Sequence, residues 1–452
     1  MSHFRQCDRD TPYLLPPSVD DWLPKDHLAR FVVDTVEQLD LSALIRQYRG
    51  AGSAAYHPAV LLALLLYGYA TGTFGSRRIE QATYDSLAFR FIAANTHPDH
   101  DTLCAFRKRF LPEVERLFVE ALGIAKQMKL LKLGTVALDG TKLHANASRH
   151  SALSYAHAHK IEAQLQAEVR ELLARAERAD AEPLPEGLNI PEELVRREVR
   201  LKAIQAAKAE IEVRAAARFA AEQAEYEAKL KARADKEKDT GKKPGGNPPA
   251  APSAGARADD QLNLTDPDSR IMPAAGGAFE QSYNAQAAVD VNTMLVLATT
   301  LTQAANDKQQ LAPMVEVLAA LPADIGVVDT VLADNGYFSA TNVTICIDAA
   351  LTPLLAAGRE SHHLPWQDRF TEPAPLADDA DAVQRMKHAL KTRAGRARYG
   401  LRKQTVEPVF GIIKAVMRFR QFLLRGLAAV RGEWSLVTMA WNIRRMAVLK
   451  SG

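Results

Sequence analysis

Apolar positions along the first 125 residues recur at helical spacing. Pro58 opens the run AVLLALLLYGYATG, with proline at a tolerated first-turn position. A second helix is expected through SRRIEQATYDSLAFRFI. A third is expected from HPDHDTLCAFRKRFLPEVERLF, where Asp99 or Asp101 can cap and Leu103, Phe106 and Phe110 share one face. Arg77, Arg78, Arg107, Lys108 and Arg109 lie among these elements and suit a helix-turn-helix-like DNA reader, although any three-helix bundle can carry the same pattern.

The pattern changes at TVALD, residues 135–139, a short β-branched and apolar run that ends in an acid. An Ala-, Glu- and Arg-rich stretch follows. Ile161, Leu165, Val169 and Leu172 are spaced for one helix face; PLPEGLNIP interrupts at 183–191; Leu194, Leu201, Ile204 and Ile211 resume the stripe. The spacing predicts an antiparallel helical hairpin over 155–238, read most simply as an inserted coiled coil without chemistry. The Pro-, Gly-, Ser- and Ala-rich segment TGKKPGGNPPAAPSAGARA then reads as a flexible linker, 240–260.

Beyond the linker, SYNAQAAVDVN and TMLVLATTLTQ read as adjacent strands with a turn near Asn292. LAPMVEVLAALPA reads as a helix, IGVVDTVLADNGYFS as a buried strand ending in an acid, NVTICIDAAL as a helix and TPLLAAG as a strand. Polar, Pro-containing sequence from 358 to 382 leads into a long basic helical region. Three strands, helix, strand, helix, strand, helix, with a hairpin spliced after the first strand, is the order of an α/β layered domain with a mixed sheet. The expected division is an all-α N-terminal DNA-binding domain, 1–125, and a mixed-sheet domain, 130–452, that carries the insertion.

At roughly 150 residues per domain, 452 residues agree with two or three domains. The chain is 47% hydrophobic and 25% charged, which excludes wholesale disorder and fits a soluble globular protein. The longest apolar run is short of the roughly 18 residues a membrane span needs, and the N-terminus has no signal-peptide pattern. Cys7, Cys104 and Cys346 form no CxxC pair, so neither a disulfide framework nor a thiolate zinc site is expected, and the default compartment is the cytoplasm. Charge is unevenly spread. Between Arg385 and Lys450 stand sixteen Lys or Arg and two acids, a local +14; with the total at +3, the rest of the chain sums to −11. A basic C-terminal region on an acidic protein points to a polyanion, most simply nucleic acid; a solvated helical face is the plainer alternative.

Three acids stand out. Asp139 precedes Gly140-Thr141 and Asp334 precedes Asn335-Gly336-Tyr337, each at the expected end of an apolar strand. Sites in open α/β sheets are built at such ends, although Asp before Gly is also an ordinary turn pair. Glu407 is one of the two acids in the basic segment. Lys403, Glu407, Gly411, Lys414 and Arg418 form one helical stripe, and Val406, Phe410, Ile413 and Met417 form an apolar one. A surface ion pair, Lys403–Glu407, is the plain reading of that acid. Pro408, directly after Glu407, is expected to kink or restart the helix. Three carboxylates without a His or Cys cluster suit a hard cation, Mg²⁺ or Mn²⁺, and two such ions can activate a hydroxyl and stabilise a leaving oxygen of a phosphodiester.

With these residues in view, the sequence resembles the bacterial insertion-sequence DDE transposases, whose catalytic domain is RNase H-like. The matching stretches are VALDGTKLHANAS, VLADNGYFS and YGLRKQTVEPVFGIIKAVMRFRQFLLRG, the last resembling the family's Tyr, Arg, Glu, Lys signature at Tyr399, Arg402, Glu407 and Lys414. Four residues separate Arg402 from Glu407, one more than usual. DPDSRIM at 266–272 and AANDKQQL at 304–311 resemble linking segments of the group, and 10–120 resembles its N-terminal helical domain. The resemblance implies Asp139, Asp334 and Glu407 as catalytic and as holding two divalent ions, Mg²⁺ or Mn²⁺, with Tyr399, Arg402, Lys403, Lys414 and Arg418 on DNA. It also implies cleavage at terminal inverted repeats, strand transfer into target DNA and a homodimer on paired ends. A stand-alone nuclease of the same fold, an inactivated or domesticated DNA-binding copy, and a coiled-coil structural protein are the competing readings.

Overall fold

A computed structural model describes residues 18–48, 55–178, 188–241, 245–274, 277–358 and 371–451. Cys7, the first part of the break at 183–191, residues 242–244 of the expected linker and residues 359–370 of the polar stretch lie outside the described residues. The chain divides into two compact units, Met1–Ala145 with Ser282–Gly452, and Asn146–Gln281.

In the first unit, helices α1 (Leu28–Glu37), α2 (Ser42–Ile45), α3 (Pro58–Thr71), α4 (Ser76–Asp85), α5 (Leu87–Ile92), α6 (His100–Phe110) and α7 (Val114–Gln127) precede β1 (Thr135–His144). The run after Pro58 is buried on nearly all sides because α3 lies at the centre of this helical region. Asp99 caps α6 by accepting from the Thr102 amide at 2.7 Å. The second expected helix is two: Ser86 adopts an extended conformation between α4 and α5. On α4 the buried residues are Ile79 and Thr83, whereas on α5 they are Ala88, Phe89 and Ile92. A continuous helix would not turn both sets inward, and the break at Ser86 resets the face.

The second unit holds β2 (Ala152–Ser154), α8 (Tyr155–Arg178), α9 (Ile190–Thr240), β3 (Gln261–Asn263) and β4 (Arg270–Pro273). Strands β2 and β3 pair antiparallel. Helices α8 and α9 pack through Leu165 and Leu172 on one and Ile204, Ala207 and Ile211 on the other. Arg197 pairs with Glu168 at 2.7 Å across the two helices, and Lys208 pairs with Glu162. The segment after α9 is held along it: Arg233 donates to the Gly246 carbonyl at 3.2 Å, Arg218 to the Gly255 carbonyl at 3.2 Å, and Arg218 also pairs with Asp260.

The chain re-enters the first unit along β5 (Phe279–Asp290), followed by β6 (Val296–Thr302), α10 (Leu311–Ala319), β7 (Thr330–Ala333), α11 (Ala340–Asp348), β8 (Thr352–Leu355), α12 (Ala382–Lys391), α13 (Arg393–Ala415) and α14 (Leu427–Ser451). The sheet is mixed. Strands run in the order β6-β5-β1-β7-β8, with β5 antiparallel to β1 and β6, and β7 parallel to β1 and β8. Among the described residues no single helix is long and apolar enough to cross a membrane.

Helix α14 joins the helices to the sheet. It is buried almost continuously from Val430 to Ile443 and packs on α1, α3, α7 and β6. Asn442 closes the β6 edge as another strand would, accepting from the Val296 amide at 2.8 Å and donating to its carbonyl at 2.7 Å. Trp434 donates to the Gln286 carbonyl at 3.0 Å. Glu433 is fully buried, accepting from the Tyr69 hydroxyl at 2.6 Å and from the Leu423 and Leu424 amides at 2.9 and 3.0 Å, while Arg107 donates to the same hydroxyl at 3.2 Å. This cluster ties α3, α6 and the segment before α14 together. Glu433→Ala removes its anion and leaves Arg107 and three donors without it, so a stability loss of about 3–5 kcal/mol is expected in urea unfolding, with a smaller loss for Glu433→Gln.

Candidate active site

Strand β1 continues past Asp139 to His144, so Asp139 is internal to its strand and not at the strand end. The antiparallel partner β5 carries it onward, pairing as far as His144 with Ser282. The parallel partner β7 stops sooner. Its register matches Thr135 with Thr330 and Ala137 with Leu332, which sets Asp139 level with Asp334, one residue beyond the end of β7. Neighbouring strands lie about 4.8 Å apart, so the two aspartates stand side by side where the parallel pairing ends. Asp334 caps a 3-10 turn at Asn335–Tyr337 and accepts from the Gly336 amide at 2.8 Å. Asp139 accepts from the Gly140 amide at 2.8 Å.

Helix α13 packs on β1 and brings the third acid. It runs through Pro408 as one helix, so the expected restart there does not occur. The proline forfeits a single bond to the carbonyl of Gln404, an exposed residue, while Val406, Val409, Phe410 and Ile413 stay buried and hold the helix in place. Arg402 joins the helix to the strand. It donates to Asp139 at 3.0 Å and to Glu407 at 3.2 Å. Its side chain is only 11% exposed, against 50% for Glu407, and its Nε has no partner.

The charges explain the arrangement. Burial pushes the Asp139 carboxyl up to about 6; Arg402 and the Gly140 amide pull it down, and Asp334 and Asp307 raise it further. Burial works against the Arg402 charge, but Asp139, Tyr399, Asp334 and Glu407 outweigh it and hold the guanidinium more firmly protonated than usual. The remaining expected residues fall as follows. Tyr399 is half-buried and electrostatically beside Arg402. Lys403 is exposed. Lys414 donates to the Lys142 carbonyl on β1 at 3.1 Å, and burial lowers its pKa. Arg418 is exposed, with φ +61° in the loop after α13, beside Gly72.

One carboxylate escaped the sequence reading. Asp307 precedes α10 and accepts from the Asn284 and Gln286 side-chain amides, both at 2.7 Å. Two polar residues at alternate positions of an otherwise apolar strand, the Asn and Gln of SYNAQAAVD, were the available signal, because alternate residues share one face of a strand.

A model of a Transposase domain (DUF772) matches residues 17–109, and a model of a Transposase DDE domain matches residues 376–447. Both matched regions are similar to domains of transposases, which supports an insertion-sequence DDE transposase. The first match covers α1 to α5 and nearly all of α6. The second covers α12, α13 and most of α14, including Arg402 and Glu407, whereas Asp139 and Asp334 lie outside both. No curated protein and no solved structure matches. Transposases of the DDE type generally use divalent metals. Among the described residues no three His, Cys, Asp or Glu side chains are gathered closely enough to hold an ion as they stand. The donor set nevertheless fits a hard cation in chemistry: every candidate ligand is a carboxylate, and Asp334 and Asp307 both act electrostatically on the Asp139 carboxyl.

Folded Asp139 keeps its proton up to about pH 6, and an unfolded Asp loses it near 3.9. The native state therefore binds the extra proton between those values, and this contribution to stability is lost as pH rises through about 6. Asp139→Asn escapes the loss. In metal-free buffer the variant is expected to exceed the parent by roughly 1–3 kcal/mol at pH 7.5 and to match it near pH 4. Urea melts at the two pH values check this; equal differences at both would show that Asp139 ionisation has no part in it.

Proposed function

We propose that this chain catalyses DNA cleavage at the ends of its element and transfer of the freed strand into target DNA. The observation that carries the reading is Arg402, which ties Asp139 on β1 to Glu407 on α13 while Asp334 stands level on the next strand. Three strands, helix, strand, helix, strand, helix is the order that supports an RNase H-like catalytic domain over 130–452, preceded by a DNA-binding helical domain over 1–125. The hairpin, 155–238, and the linker, 240–260, serve end-binding or contact within a homodimer and supply no catalytic residue.

Asp139, Asp334 and Glu407 would hold the divalent cations, Mg²⁺ or Mn²⁺. When bound, such ions supply activation of the attacking hydroxyl and stabilisation of the leaving oxygen. Arg402 meanwhile keeps the acids of β1 and α13 in place and offers a guanidinium to a phosphate that enters among them. Exposed Lys403 and Arg418 contact the backbone of the bound strand, with Tyr399 alongside. Lys414, already on the Lys142 carbonyl, contributes more to seating α13 on β1 than to DNA affinity. In cleavage a water forms the new P–O bond and the strand's terminal hydroxyl leaves; in transfer that hydroxyl attacks a target phosphodiester and displaces its leaving oxygen. Both steps are in-line substitutions at phosphorus that can share one set of acids.

The test uses labelled duplexes from the DNA flanking the coding region. Asp139→Ala, Asp334→Ala and Glu407→Ala should each abolish cleavage and leave DNA affinity within a few-fold of the parent. Strand-transfer products separate a transposase from a nuclease, and full cleavage by any of the three variants would end the assignment. Lys403→Ala and Arg418→Ala should each reduce the salt slope of binding by about one, nearly independent of sequence, and Lys414→Ala by less.

A further inference from the structure

Asn284, Gln286 and Tyr337 are buried polar side chains, 1%, 0% and 0% exposed. Two of them donate to one carboxylate and the third holds one of those two. The Asn284 and Gln286 amides donate to Asp307 Oδ1, and the Tyr337 hydroxyl donates to Gln286 Oε1. An apolar cluster of the same volume would serve stability as well or better, so a buried network of this kind marks a group whose orientation matters. With Oδ1 so held, no hydrogen bond reaches Asp307 Oδ2 from among the described residues.

Two glycines make room for this carboxylate. A Cβ on Gly140 would overlap the Gln286 amide and stand 2.7 Å from Asp307 Oδ1. A Cβ on Gly336 would stand 2.9 Å from Asp334 Oδ1 and 3.7 Å from Asp307 Oδ2. The two oxygens are therefore no more than 6.6 Å apart, the sum of those distances. Ions about 4 Å apart with oxygen ligands about 2.1 Å from each can span that separation. The neighbour of one candidate aspartate and the second residue after the other thus both lack a side chain where Asp307 approaches.

We infer that Asp307 is a fourth carboxylate of the divalent-cation centre, pre-oriented by Asn284 and Gln286 so that Oδ2 faces the ion beside Asp334. The inference rests on the metal-dependent reading above. Its test is Mn²⁺ binding by the purified full-length chain, followed as loss of the free-ion signal in electron paramagnetic resonance. The parent, Asp307→Asn and Asp139→Asn are compared, with affinity for end DNA and the metal-free melting temperature measured alongside. Asp307→Asn should weaken Mn²⁺ binding by about tenfold or more while DNA affinity and metal-free melting stay near the parent's. Should Asp307→Asn not fold, Asp307→Ser, small enough for the same space and uncharged, should show the same loss. Parental Mn²⁺ affinity in a folded Asp307 variant, with weakened binding in Asp139→Asn, overturns this inference and leaves the proposed function standing. Parental affinity in both variants, or no Mn²⁺ binding by the parent, removes the metal-dependent reading and this inference with it.

Discussion

Asp139, Asp334, Asp307 and Glu407 bring negative charge to the place where the pairing of β1 with β7 stops, and Arg402 is the cation that folds among them. Burial makes that balance matter. An exposed ion pair contributes little, but a carboxylate as enclosed as Asp139 loses most of its hydration and must be protonated, paired or matched to a metal. Burial raises the Asp139 carboxyl to about 6 even with the Arg402 guanidinium beside it.

The scaffold makes this concentration of charge tolerable. Strand β1 is paired on both sides as far as Ala137 and on one side thereafter, so its first half is locked while Asp139 emerges beside the end of β7. The end of β1 is also held from the C-terminal region: the His144 amide donates to the Arg420 carbonyl at 3.1 Å, and the Phe422 amide donates to the His144 carbonyl at 2.9 Å. Lys414 adds its contact to Lys142. Helix α13 and the segment after it are thus tied to β1 beyond Asp139, which keeps Glu407 beside the strand that carries that aspartate. Farther along, the Glu433 cluster and the buried length of α14 bind the helices that precede β1 to the same sheet.

Local chemistry in the sequence settled much of this. An apolar run after Pro58 has to be a buried helix, and paired stripes on either side of residues 183–191 have to pack on something. Alternating and continuous apolar runs after residue 280 have to be strands and helices in the order found, because each pattern hides its apolar face in only one kind of element. Glu407 was conspicuous as an acid in a basic segment, and Asp139 and Asp334 as acids after apolar runs. These features depend on neighbours a few residues away, which is the range over which periodicity speaks.

What only the tertiary structure decided depends on partners far along the chain. Asp139 lies inside its strand because β5, more than 130 residues later, continues to pair beyond it. Pro408 is absorbed into a helix because packing on the sheet outweighs one missing hydrogen bond. Ser86 breaks a helical pattern because two halves face different neighbours. Arg402 reaches Asp139 across 263 residues of sequence, and Asp307 is drawn in by Asn284 and Gln286 from a segment with no strand-end signature. Sequence periodicity records which side of an element is buried. It does not record which elements meet, and the charge balance at the acids exists only once they do.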